Sequence, residues 1–298
     1  MTGKQPWTIA WIVCATLYCA GLSCPGVASP AWAAGAGGAP APALCGQQPV
    51  FDDEFDTLSL AAWRLDGRRW ITHTPWAGDF GDARFTDPGP GSAFSVHGGV
   101  LSITARRDAA GAWTSGLIAS ADGVGGGFAT MYGYFETRTK LPPGPGTWPG
   151  IWLNESTPKD WPLQTVEIDM MEYYGQFPGK YHATIHVWHG RTAARDGGWG
   201  TVITAPGDPG TLVARFHTYG VLVAPAQTIF YLDRREVWRS PTPPEHKRPL
   251  MFLINLALGG GWPINRTPNP TTMQVDYARV YRPDDSAAFA RCLAGTAE

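Results

Sequence analysis

Apolar and polar residues alternate with a period of two in short runs along most of this chain, and glycine and proline break the runs apart. Val100-Leu101-Ser102-Ile103-Thr104, residues 181–187, Thr228-Ile229-Phe230-Tyr231-Leu232 and residues 273–281 are rich in β-branched and aromatic side chains, the signature of strands. The long 3.6-residue period of an extended amphipathic helix is missing, and 37 Gly with 27 Pro supply turns. The pattern predicts an all-β sandwich of two sheets over an α/β fold.

One run departs from simple alternation. In Val166-Glu167-Ile168-Asp169-Met170-Met171-Glu172 three carboxylates fall within six residues. On a helix they would scatter around the axis. On a strand Glu167 and Asp169 share one face while Val166, Ile168 and Met170 share the other. Glu172 then has the wrong parity and would sit on the apolar face, where an unpaired carboxylate is costly. A β-bulge near Met170-Met171 restores it to the acidic face. Glu167 and Glu172 would stand roughly 13–16 Å apart along the backbone, so their side chains must lean together across a concave sheet.

Two carboxylates at close range are the equipment of a retaining glycosidase, in which one attacks the anomeric carbon and the other gives and then removes a proton. Asp169 between them can hydrogen-bond one and set its ionisation, because neighbouring like charges push pKa values apart. The competing reading of the bare pattern is an ordinary half-exposed strand whose acids face solvent.

Composition and the termini narrow the setting. Residues 1–33 have the form of an export signal, with Lys4 ahead of an apolar run and Ala31-Trp32-Ala33 as a small-x-small cleavage site. The run is short for a bilayer span, and no later segment is long and apolar enough. The expectation is an exported protein, secreted or periplasmic, with no membrane association after cleavage. Residues 34–44 form an Ala/Gly/Pro leader, and residues 45–293 are expected to be one catalytic domain. Cys14, Cys19 and Cys24 leave with the signal, so Cys45 and Cys292 remain as a pair that an exported chain would join in a disulfide. Net charge is −2 for the whole chain, and the signal removes one lysine and no acid, giving −3. Such a balance argues against a nucleic-acid partner and against binding a strongly anionic polymer by bulk charge.

Glu-Ile-Asp-Met-Met-Glu does not stand alone. It is preceded by Tyr132-Gly133-Tyr134-Phe135-Glu136-Thr137-Arg138 and by Gly146-Thr147-Trp148-Pro149-Gly150-Ile151-Trp152. Three further blocks agree in order: Phe51-Asp52-Asp53-Glu54-Phe55 near the mature start, and Ala257-Leu258-Gly259-Gly260-Gly261-Trp262-Pro263 and Val275-Asp276-Tyr277-Ala278-Arg279-Val280-Tyr281 after the acidic run. Together these blocks resemble glycoside hydrolase family 16 in its laminarinase-like branch, over roughly residues 51–282. The resemblance implies a β-jelly roll of two curved antiparallel sheets with a substrate cleft on the concave face. It also implies Glu167 as nucleophile, Glu172 as general acid/base and Asp169 as their electrostatic partner.

Further expectations rest on the same resemblance. Trp148, Trp152 and Trp262 are expected to offer flat faces to sugar rings, and Trp161 stands just upstream of the acids. Glu136 and Arg138 share a strand face and are expected at the cleft, holding sugar hydroxyls and orienting the nucleophile; a surface ion pair is the competing reading. His182 and His186 share the next strand's face, but no third ligand is spaced to complete a zinc site. His186 is the candidate for a cleft hydrogen bond. No cofactor is required for catalysis; a structural calcium is expected on the convex face at Asp276, Gly99 and Glu54.

The expected activity is internal hydrolysis of β-1,3- or β-1,3-1,4-glucan by a monomer. Alternatives are a depolymerase or transglycosylase of a bacterial exopolysaccharide, and a non-catalytic glucan-binding protein. The last would typically have lost the acids that this chain keeps.

Overall fold

The computed structural model describes residues 43–76, 78–156, 164–190 and 196–296. The export signal, the leader up to residue 42 and Trp161 lie outside these residues.

Seventeen strands and two short helices are named in chain order. The strands are β1 (Pro49–Asp53), β2 (Leu60–Ala61), β3 (Trp70–Ile71), β4 (Arg84–Phe85), β5 (Phe94–His97), β6 (Val100–Arg107), β7 (Trp113–Ala119), β8 (Gly133–Lys140) and β9 (Thr147–Glu155). They continue with β10 (Thr165–Glu172), β11 (Lys180–Trp188), β12 (Gly197–Thr204), β13 (His217–Val223), β14 (Gln227–Leu232), β15 (Arg235–Pro241), β16 (Leu250–Leu258) and β17 (Thr271–Tyr281). The helices are α1 (Thr211–Ala214) and α2 (Ser286–Gly295). The runs singled out by alternation fall within β6, β11, β14 and β17.

Two curved sheets form, as the pattern predicts. The concave sheet runs β2, β3, β7, β16, β9, β10, β11, β12 in space. The outer sheet runs β5, β6, β17, β8, β13, β14, β15, with β1 on the second half of β17. Pairing is antiparallel except where β2 meets β3 and β4 meets β7. Sequential partners are often distant in sequence, as when β16 inserts between β7 and β9, and such crossing connections characterise a jelly roll.

The core fills the space between the sheets. Ile151 and Leu153 of β9, Ile168 and Met170 of β10, and Ile185 and Val187 of β11 meet Phe135, Val221, Phe230 and Val280 of the outer sheet. Strand β16 is buried at all nine positions because both its faces are covered. On its concave side Met251, Leu253 and Ala257 pack with Leu65, Ile71, Phe85 and Trp152, so the segment before β5 folds over one end of the concave sheet.

Cys45 and Cys292 form a disulfide with Cα atoms 5.8 Å apart across 247 residues of sequence. It ties α2 to the start of the domain, and closing so long a loop contributes about 2–5 kcal/mol. Leu44, expected in the leader, is buried against Phe289 and Leu293 of α2.

Candidate active site

The acidic run forms β10, and it bulges where its parity demanded. Against β9, Asp169 faces Trp152 while Met171 already faces Ile151; against β11 the register jumps between Asp169–Thr184 and Glu172–His182. The extra residue buries both methionines and returns Glu172 to the face of Glu167 and Asp169. That face looks out from the concave sheet between Trp148, Gly150, Trp152 and Asn154 of β9 and His182, Thr184, His186 and Trp188 of β11.

Each glutamate has its own donors. Asn154 Nδ2 donates to Glu167 Oε2 at 2.9 Å, and Trp188 also hydrogen-bonds this carboxylate through its side chain. Trp148 Nε1 at 2.9 Å and the Tyr174 hydroxyl at 2.7 Å both donate to Oε1 of Glu172. His186 Nε2 lies 3.3 Å from Asp169 Oδ2, and its ring stacks on Trp188 at 4.9 Å and 14°. Strand β12 comes close enough to fix that ring: a Cβ on Gly198 would lie 2.5 Å from His186 Nδ1.

Burial, and then the charge of Asp169, pushes Glu167 and Glu172 well above the usual carboxylate range. Hydrogen bonds to the ionised forms and the nearby His186 oppose this rise. Burial works against a charged His186, but the hydrogen bond and charge of Asp169 and the charges of both glutamates lift it to about 9. Because both rises run through the charge of Asp169, the two glutamates titrate as a pair and not as independent acids.

Trp148, half-buried, reaches the cleft as expected; it lies parallel to Tyr174 at 6.2 Å and leaves no room for a Cβ on Gly260, which would sit 2.7 Å from its ring. Trp262 is 42% exposed and meets Phe177 edge to face at 5.1 Å. Trp152 shares the cleft face but is only 7% exposed. It packs against Trp76 and Phe80 and donates to Asn255 Oδ1 at 2.8 Å. The expectation of a free stacking face at Trp152 is therefore corrected: its indole supports the cleft wall.

Glu136 and Arg138 do not reach the cleft. Both point away from the core on β8 of the outer sheet, where Glu136 faces Gly220 of β13 and Arg279 of β17. Glu136, fully buried, accepts from Arg234 Nε and a terminal nitrogen at 2.9 Å each, from Tyr134 at 2.8 Å and from Tyr277 at 2.9 Å. Arg138 pairs with Asp276 at 2.6 Å and covers the Phe216 ring. Shared parity was read correctly; the sheet was not.

These pairings bear on calcium. Asp276 is held by Arg138, and Glu54 accepts from Arg279 through two bonds of 2.8 Å. Only the main chain of Glu54 comes near Gly99, whose added Cβ would lie 3.5 Å from its carbonyl oxygen. A hard dication at the Glu54 carboxylate would have to displace the Arg279 guanidinium, whereas Arg138 holds only Oδ2 of Asp276, so Glu54 is the member of the three that fits calcium least. The melting temperature should be the same in chelator and in millimolar calcium, and a rise of several degrees with calcium would reinstate the ion.

His182 and His186 do not converge. His186 with Glu167 and Asp169 does, their ligand atoms lying within 4.8 Å of one another, a grouping that sequence spacing had not supplied. Asn154, Tyr174 and Trp188 were also missed. Trp188 was accessible, because it has the parity of His182 and His186 on the same strand.

A glycosyl hydrolases family 16 model matches residues 89–279. The chain is 31% identical over 262 residues to endo-1,3-1,4-beta-glycanase EglC of Rhizobium meliloti (strain 1021), covering 79% of this chain and 52% of that one. Endo-1,3-1,4-beta-glycanase ExsH of the same organism is 31% identical over 265 residues, with the same 79% and 52% coverage. The chain thus spans about half the length of these curated relatives. Among solved structures, the catalytic domain of an endo-1,3-beta-glucanase (laminarinase) from Thermotoga petrophila RKU-1 superposes with TM-score 0.64 at 26% identity, covering 80% of this chain and 99% of that one.

Proposed function

The chain belongs to glycosyl hydrolase family 16, and from that membership we propose that it is an exported, monomeric endo-glycanase cleaving internal linkages of β-1,3- or β-1,3-1,4-glucan with retention of configuration. The observation that carries this reading is the bulge, which sets Glu167 and Glu172 on one face with Asp169 between them. No helix among the described residues is long and apolar enough to cross a membrane. The relatives' names point to the same substrate class.

The roles are carried over from the family pattern, in which Glu167 supplies the carboxylate that attacks the anomeric carbon and Glu172 supplies the proton. Glu172 accepts both its bonds on Oε1, leaving Oε2 to carry the proton toward the glycosidic oxygen. As the bond from Glu167 to the anomeric carbon forms, the glycosidic bond breaks and the leaving hydroxyl takes that proton. Water then attacks the glycosyl-enzyme, gives its proton to Glu172 and frees Glu167. His186, hydrogen-bonded to Asp169, keeps the negative charge of this acid balanced while the glutamates exchange charge.

The test is early-time NMR of products from laminarin, lichenan, agarose and a bacterial exopolysaccharide. Release of the β-anomer from the first two is expected. An inverted anomer would end the mechanism, and cleavage of agarose or exopolysaccharide alone would end the substrate reading.

The Tyr174 bond gives a second expectation. A donor to a carboxylate favours its ionised form, so Tyr174→Phe should raise the pKa of the acid/base and move the alkaline limb of kcat/KM upward, by roughly half a unit to one unit. A limb that stays in place would show that the hydroxyl has no hold on the catalytic proton.

A further inference from the structure

The cleft described so far ends at Trp76 and Phe80, yet the concave sheet continues beyond them through β7 to β3 and β2. At that far edge Trp63 stands 43% exposed. One face of its indole lies flat on His73, with ring centroids 4.0 Å apart and planes inclined by 6°, so the other face is the one turned to solvent.

The backing is rigid. His73 is 5% exposed, and both its nitrogens are engaged: Nδ1 lies 3.2 Å from each carboxylate oxygen of Asp79, and Nε2 lies 2.8 Å from Asp87 Oδ1. An imidazole clamped on two sides cannot turn, and the indole stacked on it is held ready at little further entropic cost. Asp79 and Asp87, which hold His73, belong to the segment whose Trp76, Phe80 and Phe85 pack in the concave cluster with Trp152. The stack therefore belongs to the concave side.

We propose that Trp63, backed by His73, is a distal sugar-stacking platform that takes a neutral hexopyranose unit of the same glycan chain whose cleaved bond lies over β10. The ring offers a flat apolar face to the C–H side of a pyranose. Asp79 and Asp87 brace the imidazole from its two edges, on the side of the indole away from the sugar. From β10 the sheet passes through β9, β16, β7 and β3 to β2, five steps of ~4.8 Å or roughly 24 Å in all. A chain that leaves the cleft over the segment covering this end of the sheet must bridge that span with several rings, so only long substrates reach Trp63. The platform rests on the glucanase reading and deepens it by giving the site a preference for chain length.

The experiment uses the mature chain carrying Glu172→Gln, so that ligands survive. Binding of a laminari-trimer and a laminari-decamer is measured by calorimetry with and without Trp63→Ala, after thermal melts show that both variants fold. Loss of the platform should weaken the decamer by roughly five- to tenfold and leave the trimer unchanged. Trp63→Tyr should recover part of the loss. Equal decamer affinity with and without Trp63 overturns the platform alone, as does an equal loss for both lengths. If neither glucan binds even with Trp63 present, the substrate reading falls and takes the platform with it.

Discussion

Glu167→Gln and Glu172→Gln should each leave a folded protein whose turnover on glucan is lower by at least 10²–10⁴, the contribution typical of a positioned acid or base, with the larger loss at the nucleophile. The fold should survive because glutamine keeps the acceptor oxygen. At position 172 an amide oxygen can still accept from Trp148 and Tyr174, and at 167 from Asn154. The two variants should nevertheless differ. An activated leaving group departs without a proton, so such a substrate should restore the first step in Glu172→Gln and do nothing for Glu167→Gln. Azide sharpens the contrast in the alanine variants. With Glu172→Ala it should intercept the glycosyl-enzyme and give a product of retained configuration. With Glu167→Ala it should attack the sugar directly, from the face that the carboxylate has vacated, and give the inverted one. Exchange of these two anomers would swap the roles of the glutamates without disturbing the fold.

Much of this site was legible because strand parity is a strict rule. Three acids within one alternating run allow only one strand geometry that spares Glu172 from the apolar face, and the bulge between Asp169 and Met171 is that geometry. Parity also put Glu136 with Arg138 and Trp148 with Trp152, correctly in both cases. It is silent about what covers a face. Trp152 is walled in by Trp76 and Phe80, contributed from a segment more than sixty residues earlier in the chain. Glu136 lies on the outer sheet because β8 pairs with β13 and β17, pairings that no local pattern encodes. Tyr174 was missed for a related reason: it lies just past the end of β10, where alternation stops carrying information, and its hydroxyl turns back to Glu172.

The correction at Glu136 leads to the largest expected effect on stability. Its carboxylate is 0% exposed, gripped by the Arg234 guanidinium through two bonds and by two tyrosine hydroxyls. Arg234 sits at φ 60° beside Asp233 at φ 50°, so the ion pair also pins a left-handed turn between β14 and β15. Removing the acid leaves a largely buried guanidinium without its counter-charge, and breaking such a pair costs about 3–5 kcal/mol. Glu136→Ala should therefore lower the unfolding free energy by that amount, as read from denaturant midpoints. At a temperature where the variant is still folded, kcat/KM should match the wild type. A residue holding sugar hydroxyls would give the opposite result, a higher KM with the midpoint unchanged. Replacing both partners, as in Glu136→Leu with Arg234→Met, should recover much of the loss, because an apolar pair of similar volume leaves no charge stranded. If the double variant is instead as unstable as the two single losses added together, the carboxylate stabilises the fold mainly through Tyr134 and Tyr277, and the arginine is incidental.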